Sequence, residues 1–99
     1  MSATPARVEK IMSLDLGEFH RSLKTLAPGV PLEDGQTDIV ITAESAQIRI
    51  VYEPLETATL GGLLALPRAR VTLHMDGLDE AQRRAFLARF DRAFQRGGG

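Results

Sequence analysis

Apolar residues recur along this chain at two different periods, and the order in which the periods change is the strongest constraint on its fold. Helical spacing comes first, strict alternation follows, and helical spacing returns at the end. In SLDLGEFHRSLKTLAPG, Leu16, Phe19, Leu23 and Leu26 stand at i, i+3, i+7 and i+10, a single stripe on a helix. In DEAQRRAFLARFDRAFQR, Phe86, Phe90 and Phe94 step by four, with Leu87 and Ala93 beside them. Between these segments, TDIVITAE and AQIRIVYE put Ile39 and Ile41, then Ile48, Ile50 and Tyr52, on one side of an extended chain. RARVTLHM alternates more cleanly, with Ala69, Val71, Leu73 and Met75 inward and Arg68, Arg70, Thr72 and His74 outward.

The ends of these segments carry their own signals. Asp15 can cap the first helix with Glu18 three residues on, and Leu14 can staple onto Phe19. Ala27 precedes Pro28, which pushes it out of helical geometry, so the helix should stop there, with Gly29 just beyond. Asp79 is the natural N-cap of the second helix, with Glu80 in its first turn. Arg92 and Arg96 fall in the last turns, where the macrodipole favours cations, and Gly97 is the expected stop. TAESA reads as a hairpin link, although it lacks Asn-Gly, and Asp76-Gly77 reads as a turn.

Two stretches are less direct. RVEKIMSL fits a strand in which Val8, Met12 and Leu14 share a face and Lys10 interrupts it. It also fits a helix through Val8, Ile11 and Met12 after Thr4-Pro5. The strand is preferred, because a sheet needs a third or fourth member to be stable. Residues 55–67, LETATLGGLLALP, allow either a turn at Gly61-Gly62 followed by a short strand or an apolar crossover against the core.

The expected fold is a single α+β domain over residues 1–99, in the order β-α-β-β-β-α. An antiparallel sheet of about four strands carries two helices, near 15–27 and 79–96, on one face. Phe19, Leu23, Ile39, Ile41, Ile48, Ile50, Val71, Leu73, Phe86, Phe90 and Phe94 should form the core. Residues 1–6 and 97–99 should be flexible.

Composition narrows function mainly by exclusion. Hydrophobic residues make up 43% of the 99 and charged residues 25%, the balance of a soluble globular domain. With no cysteine there is no disulfide, thiolate zinc site or thiol nucleophile. The opening MSATPARVEK has no apolar leader region, and no apolar run approaches the ~18 residues of a membrane span, so a cytoplasmic protein without membrane contact is expected. Charge is unevenly spread. Residues 31–60 hold six acids and one base, whereas 68–99 hold seven arginines and four acids. Neutralisation within one fold accounts for such a split more simply than assembly does.

Four features invite a functional reading. The chain closes on Arg-Gly-Gly-Gly, the ending of ubiquitin-like and sulfur carriers, but a helix running up to Arg96 leaves no extended tail, so helix termination is the better account. Arg89, Arg92 and Arg96 group on one side of the last helix, where arginines can grip phosphate or carboxylates. Arg49, Arg68, Arg70, Thr72 and His74 point away from the covered sheet face, with Val40, Val51 and Ile11 among them, as in a binding surface or dimer contact. No aromatic falls there for base stacking, and the pI is near 6.1, so nucleic acid is disfavoured as a partner. His20 and His74 lack a second local ligand pair, and no metal or other cofactor is expected.

Catalytic context is also missing. Ser2, Ser13, Ser22 and Ser45 lie in no G-x-S-x-G elbow. Glu53 and Glu56 flank Pro54 in what reads as a loop, and LGGLL lacks the Lys-Ser/Thr of a phosphate loop. The expectation is a non-catalytic module that self-associates or binds a protein partner through Arg49, Arg68, Arg70, His74, Arg89, Arg92 and Arg96. One alternative is a weak nucleic-acid or phosphate binder using the same arginines. Another is a small enzyme or ligand-binding domain with a site shared between subunits, its small-molecule ligand left open.

Overall fold

The computed structural model describes residues 3–60 and 64–95. Its elements are β1 (Arg7–Met12), α1 (Leu16–Leu26), β2 (Asp38–Ala43), β3 (Ala46–Leu60), β4 (Leu64–His74) and α2 (Glu80–Ala93), the expected order. The strands form one sheet in the spatial order β1-β4-β3-β2, antiparallel at every step. The ambiguous RVEKIMSL segment is therefore a strand. Lys10, which interrupts its apolar side, turns to the helices and pairs with Asp91 of α2 at 3.0 Å.

The β3–β4 hairpin organises the sheet. It pairs from Arg49 with His74 out to Leu60 with Leu64, with a register shift between Leu55 and Ala58. Residues 55–60 and 64–67 are thus the far half of this hairpin and not a crossover, while Gly61, Gly62 and Leu63 lie outside the described residues. Glu53 and Glu56, expected in a loop, are strand residues of β3. Pro54 misled that reading. Tyr52 N–H reaches Thr37 O, so residues of its parity, Pro54 included, face the side that β2 occupies only as far as that contact. Proline belongs at an edge position where no ladder partner needs its N–H.

Both helices lie against one sheet face. Ile39, Ile41, Ile48, Ile50, Tyr52, Ala69, Val71, Leu73 and Met75 join Phe19, Leu23, Phe86, Phe90 and Phe94 in a single buried cluster, so all eleven expected core residues are in it. Aromatic rings tie the helices together: Phe90 stacks on Phe94 at 4.1 Å between centroids, and Phe19 lies 5.1 Å from Tyr52 and 5.9 Å from Phe94. Edge-tilted and offset pairs of this kind add to simple area burial.

Each helix begins as its sequence dictates. Asp15 accepts from Glu18 N–H at 2.8 Å while Glu18 reaches back to Asp15 N–H at 3.0 Å, and buried Leu14 joins the cluster. Asp79 and Gln82 close a second capping box on α2. The C-terminal end differs from expectation. The helix stops at Ala93 with Phe94 as its cap, the Phe94 ring buried against Phe90 and Phe19. The expected stop at Gly97 lies outside the described residues. Within the N-terminal segment expected to be flexible, Thr4 N–H donates to Glu80 Oε1 at 3.2 Å and Ala6 O accepts from Met75 N–H at 2.7 Å.

The β2–β3 link is a two-residue turn in which Glu44 (φ 53°) and Ser45 (φ 63°) are both left-handed. That is the geometry of a type I′ turn, which right-twisted strands favour and which normally selects Asn-Gly. Two L-residues without that preference carry a conformational cost of about 1 kcal/mol each. The turn beside it also depends on small size, since a Cβ on Gly77 would fall 2.9 Å from Ala46 Cβ. Replacing Glu44-Ser45 by Asn-Gly should raise stability by about 1 kcal/mol in urea melts, with an unchanged m-value. A loss would mean that the two positive φ angles are not strained.

Candidate functional site

Strand alternation leaves the second face of the sheet open, and its residues form a grid. Across β1, β4, β3 and β2, Arg7 pairs with His74, His74 with Arg49, and Arg49 with Val40. The next row runs Glu9, Thr72, Val51, Asp38, and the third Ile11, Arg70, Glu53. Four of the seven sequence-predicted site residues, Arg49, Arg68, Arg70 and His74, belong to this face. Arg68 stands past the end of β1, opposite Leu55.

The charges on the face largely satisfy one another. Arg49 grips Asp38 bidentately, Nε to Oδ1 at 2.9 Å and Nη2 to Oδ2 at 2.6 Å. This hydrogen bonding holds the Asp38 carboxyl below the usual carboxylate range, with the nearby His74 adding a smaller pull. A lowered folded-state pKa gives stability that is present above the unfolded value and lost as pH falls through the folded one. Both side chains are about half exposed, so water screens the pair and its contribution is small. Arg70 bridges two strands, reaching Glu53 Oε1 at 2.7 Å and Glu9 Oε1 at 3.6 Å, and Arg7 pairs with the other oxygen of Glu9.

At the centre of the grid Thr72 is only 8% exposed, shielded by the long side chains around it. At its two far edges Ile11 (53%) and Val40 (51%) project into solvent, the only large hydrophobic side chains so exposed among the described residues. His74, Arg49, Gln47 and Val40, with Asp76, line a shallow hollow of about 280 Å³.

Arg89 and Arg92 sit on the opposite side of the molecule and do not join this site. Arg89 Nη2 donates to the carbonyl of Leu26 at 3.2 Å, and its guanidinium lies 5.7 Å from the Phe86 ring centre. It therefore satisfies one of the orphan carbonyls at the negative end of α1. Arg92 borders the same α1 terminus with Thr25 and Ala93, whereas Arg96 lies outside the described residues. The N-terminus of α2 is occupied by the Asp79 carboxylate as its own cap, beside a cleft of about 250 Å³ between Glu44 and Arg89. That volume is below the ~300 Å³ at which small-molecule sites begin.

The histidines remain apart. His20 Nε2 contacts Gln36 O at 2.7 Å on the helix side, which pins the 28–37 loop, while His74 lies on the open face. Among the described residues no three metal-ligating side chains converge, and no helix is long and apolar enough to cross a membrane. Comparison with known protein families, with curated proteins and with solved structures gives no match for this chain.

Sequence reasoning passed over Glu9, Asp38 and Glu53 as partners of the face arginines, because strand pairing that brings residues 9, 53 and 70 together has no local signature. Ile11, expected on this face with Val40 and Val51, does lie there, with the parity of Arg7 and Glu9. Arg89→Met keeps the stem that packs on Phe86 but removes the donor to Leu26. It should cost about 1 kcal/mol in thermal or urea melts. A neutral result would mean that water caps α1 equally well and would return Arg89 to the list of free surface arginines.

Proposed function

We propose that this chain is a non-catalytic interaction module that self-associates through the side of the sheet the helices leave open. The observation that carries the reading is the character of that face. Arg7, Arg49 and Arg70 are already paired with Glu9, Asp38 and Glu53, while Ile11 and Val40 stand out in water beside them. A surface with its charges internally neutralised loses little by meeting another protein, and each apolar group covered contributes about 25 cal/mol per Å². A phosphate or nucleic-acid site would instead need Arg49 and Arg70 released from Asp38, Glu9 and Glu53. Self-association is the simplest form of such a module, because a two-fold contact uses the same patch twice.

Sedimentation velocity across a concentration series, from low to high micromolar, tests the reading. A reversible shift from monomer to dimer is expected. A strict monomer at high micromolar would count against self-association. Tight binding of a random oligonucleotide with a steep salt dependence would place the chain in the competing class.

A further inference from the structure

We infer that β2 is a pairing edge for a second copy of this chain, the two β2 strands meeting antiparallel about Val40 to join two four-stranded sheets into one. The inference rests on the self-association proposed above and places its contact at the β2 edge of the open face, beside Val40 and away from Ile11.

Hydrogen bonding fixes which way the β2 backbone points. Thr37 O accepts from Tyr52 N–H, so Thr37, Ile39, Ile41 and Ala43 turn their polar groups to β3. Asp38, Val40 and Thr42 therefore turn theirs outward, and the side-chain amide of Gln36 bonds to the outward Asp38 O at 3.2 Å. β2 is the last strand in the sheet order, so the N–H and C=O of Val40 and Thr42 have no strand beside them.

The other free edges are guarded and this one is not. Where β3 runs on past β2, Pro54 occupies the first unpartnered position of outward parity. Where β4 begins before its pairing with β1, Pro67 does the same: its carbonyl takes Ser13 Oγ from the β1 side at 3.1 Å, and the sheet pairing starts at Ala69. β1 carries charges along its length, Arg7, Glu9 and Lys10. Proline and charge are the usual means of blunting a sheet edge against unwanted pairing. The β2 sequence DIVITA has no proline, lysine or arginine, its pairing with β3 is regular throughout, and its midpoint, Val40, is half exposed. An open groove of about 290 Å³ flanks it, lined by Ala27, Pro28, Val30 and Pro31.

The strand is also complementary to itself. Antiparallel pairing about Val40 sets Asp38 opposite the second copy's Thr42 and Ile39 opposite its Ile41. No like charges meet, and each face of the sheet continues unchanged. The outward groups of Asp38, Val40 and Thr42 in the two copies can then exchange about six hydrogen bonds. A slip by one residue would turn Ile39 and Ile41 of one copy to the open face of the other, so the alternation selects this register. This self-complementarity favours a second copy over an unrelated peptide at the same edge.

Hydrogen exchange and sedimentation on the intact chain, with Val40→Lys and Ile11→Lys as variants, test the pairing. In the wild type the Val40 and Thr42 amides should become protected as concentration rises. Val40→Lys should keep the wild-type circular dichroism and melt but weaken self-association by about tenfold or more, by setting two lysines against each other. Ile11→Lys, on the far edge, should leave it unchanged. A dimer that Ile11→Lys disperses, with Val40 and Thr42 exchanging as freely as at low concentration, would overturn the edge pairing while leaving the open-face module standing. A chain that stays monomeric throughout would overturn the pairing together with self-association itself.

Discussion

The antiparallel ladder between β3 and β4 is the interaction on which the rest of this structure depends. It is the longest pairing in the molecule, and β1 and β2 each attach to one side of it. Because side chains alternate along a strand, fixing the register of this one ladder decides at once which residues of both strands face the helices. Ile50 beside Leu73 and Tyr52 beside Val71 form the floor on which Phe19, Phe86 and Phe90 pack. A slip of one residue would send one strand's half of that floor into water and bring either Arg49, or Arg70 and His74, beneath the helices. The core therefore specifies the open face as strictly as it specifies itself.

That dependence explains the electrostatics. The arginines of the C-terminal third and the acids of the middle third, which look segregated along the chain, are interleaved by the sheet. Arg70 meets Glu53 because β3 and β4 are neighbours, and it meets Glu9 because β1 lies on the far side of β4. Lys10 and Asp91 perform the same neutralisation between sheet and helix. Each exposed pair is worth little to stability, so their value lies in what they do to the surface. They reduce the positive field that four arginines on one face would otherwise produce, and with it a main driving force for polyanion binding.

Much of this was legible in the sequence because it is local. The two apolar stripes, both N-caps and the inward residues of every strand follow from spacing over a few positions, and the structure has them where they were expected. The misreadings share a different cause. Pro54 is a loop signal in isolation, yet the chain around it is strand, since the meaning of a proline depends on whether a neighbour requires its N–H. Helix α2 ends at Ala93, with Phe94 as its cap and the Phe94 ring packed on Phe90 and Phe19, contacts that spacing alone does not place. Arg89 was grouped with the surface arginines because no sequence pattern reveals that α1 ends beside it.

The same distinction between local and non-local signals applies to the sheet edges. Pro54 and Pro67 stand inside two strands without breaking them, at positions fixed by where β2 and β1 stop. Their placement makes sense only as protection for a hairpin that outreaches its neighbours. Protection of that kind shows that unpaired backbone is a liability in this molecule. A bare edge centred on a half-exposed valine is then a departure from the pattern of its own chain. The β2 ladder is short and its turn, Glu44-Ser45, is conformationally costly, so the edge strand has less local support than the central hairpin. A strand in that position gains from a second neighbour in two ways. Its outward amides leave water for partners with fixed geometry, and a strand hydrogen-bonded on both sides no longer relies on its turn alone to hold register.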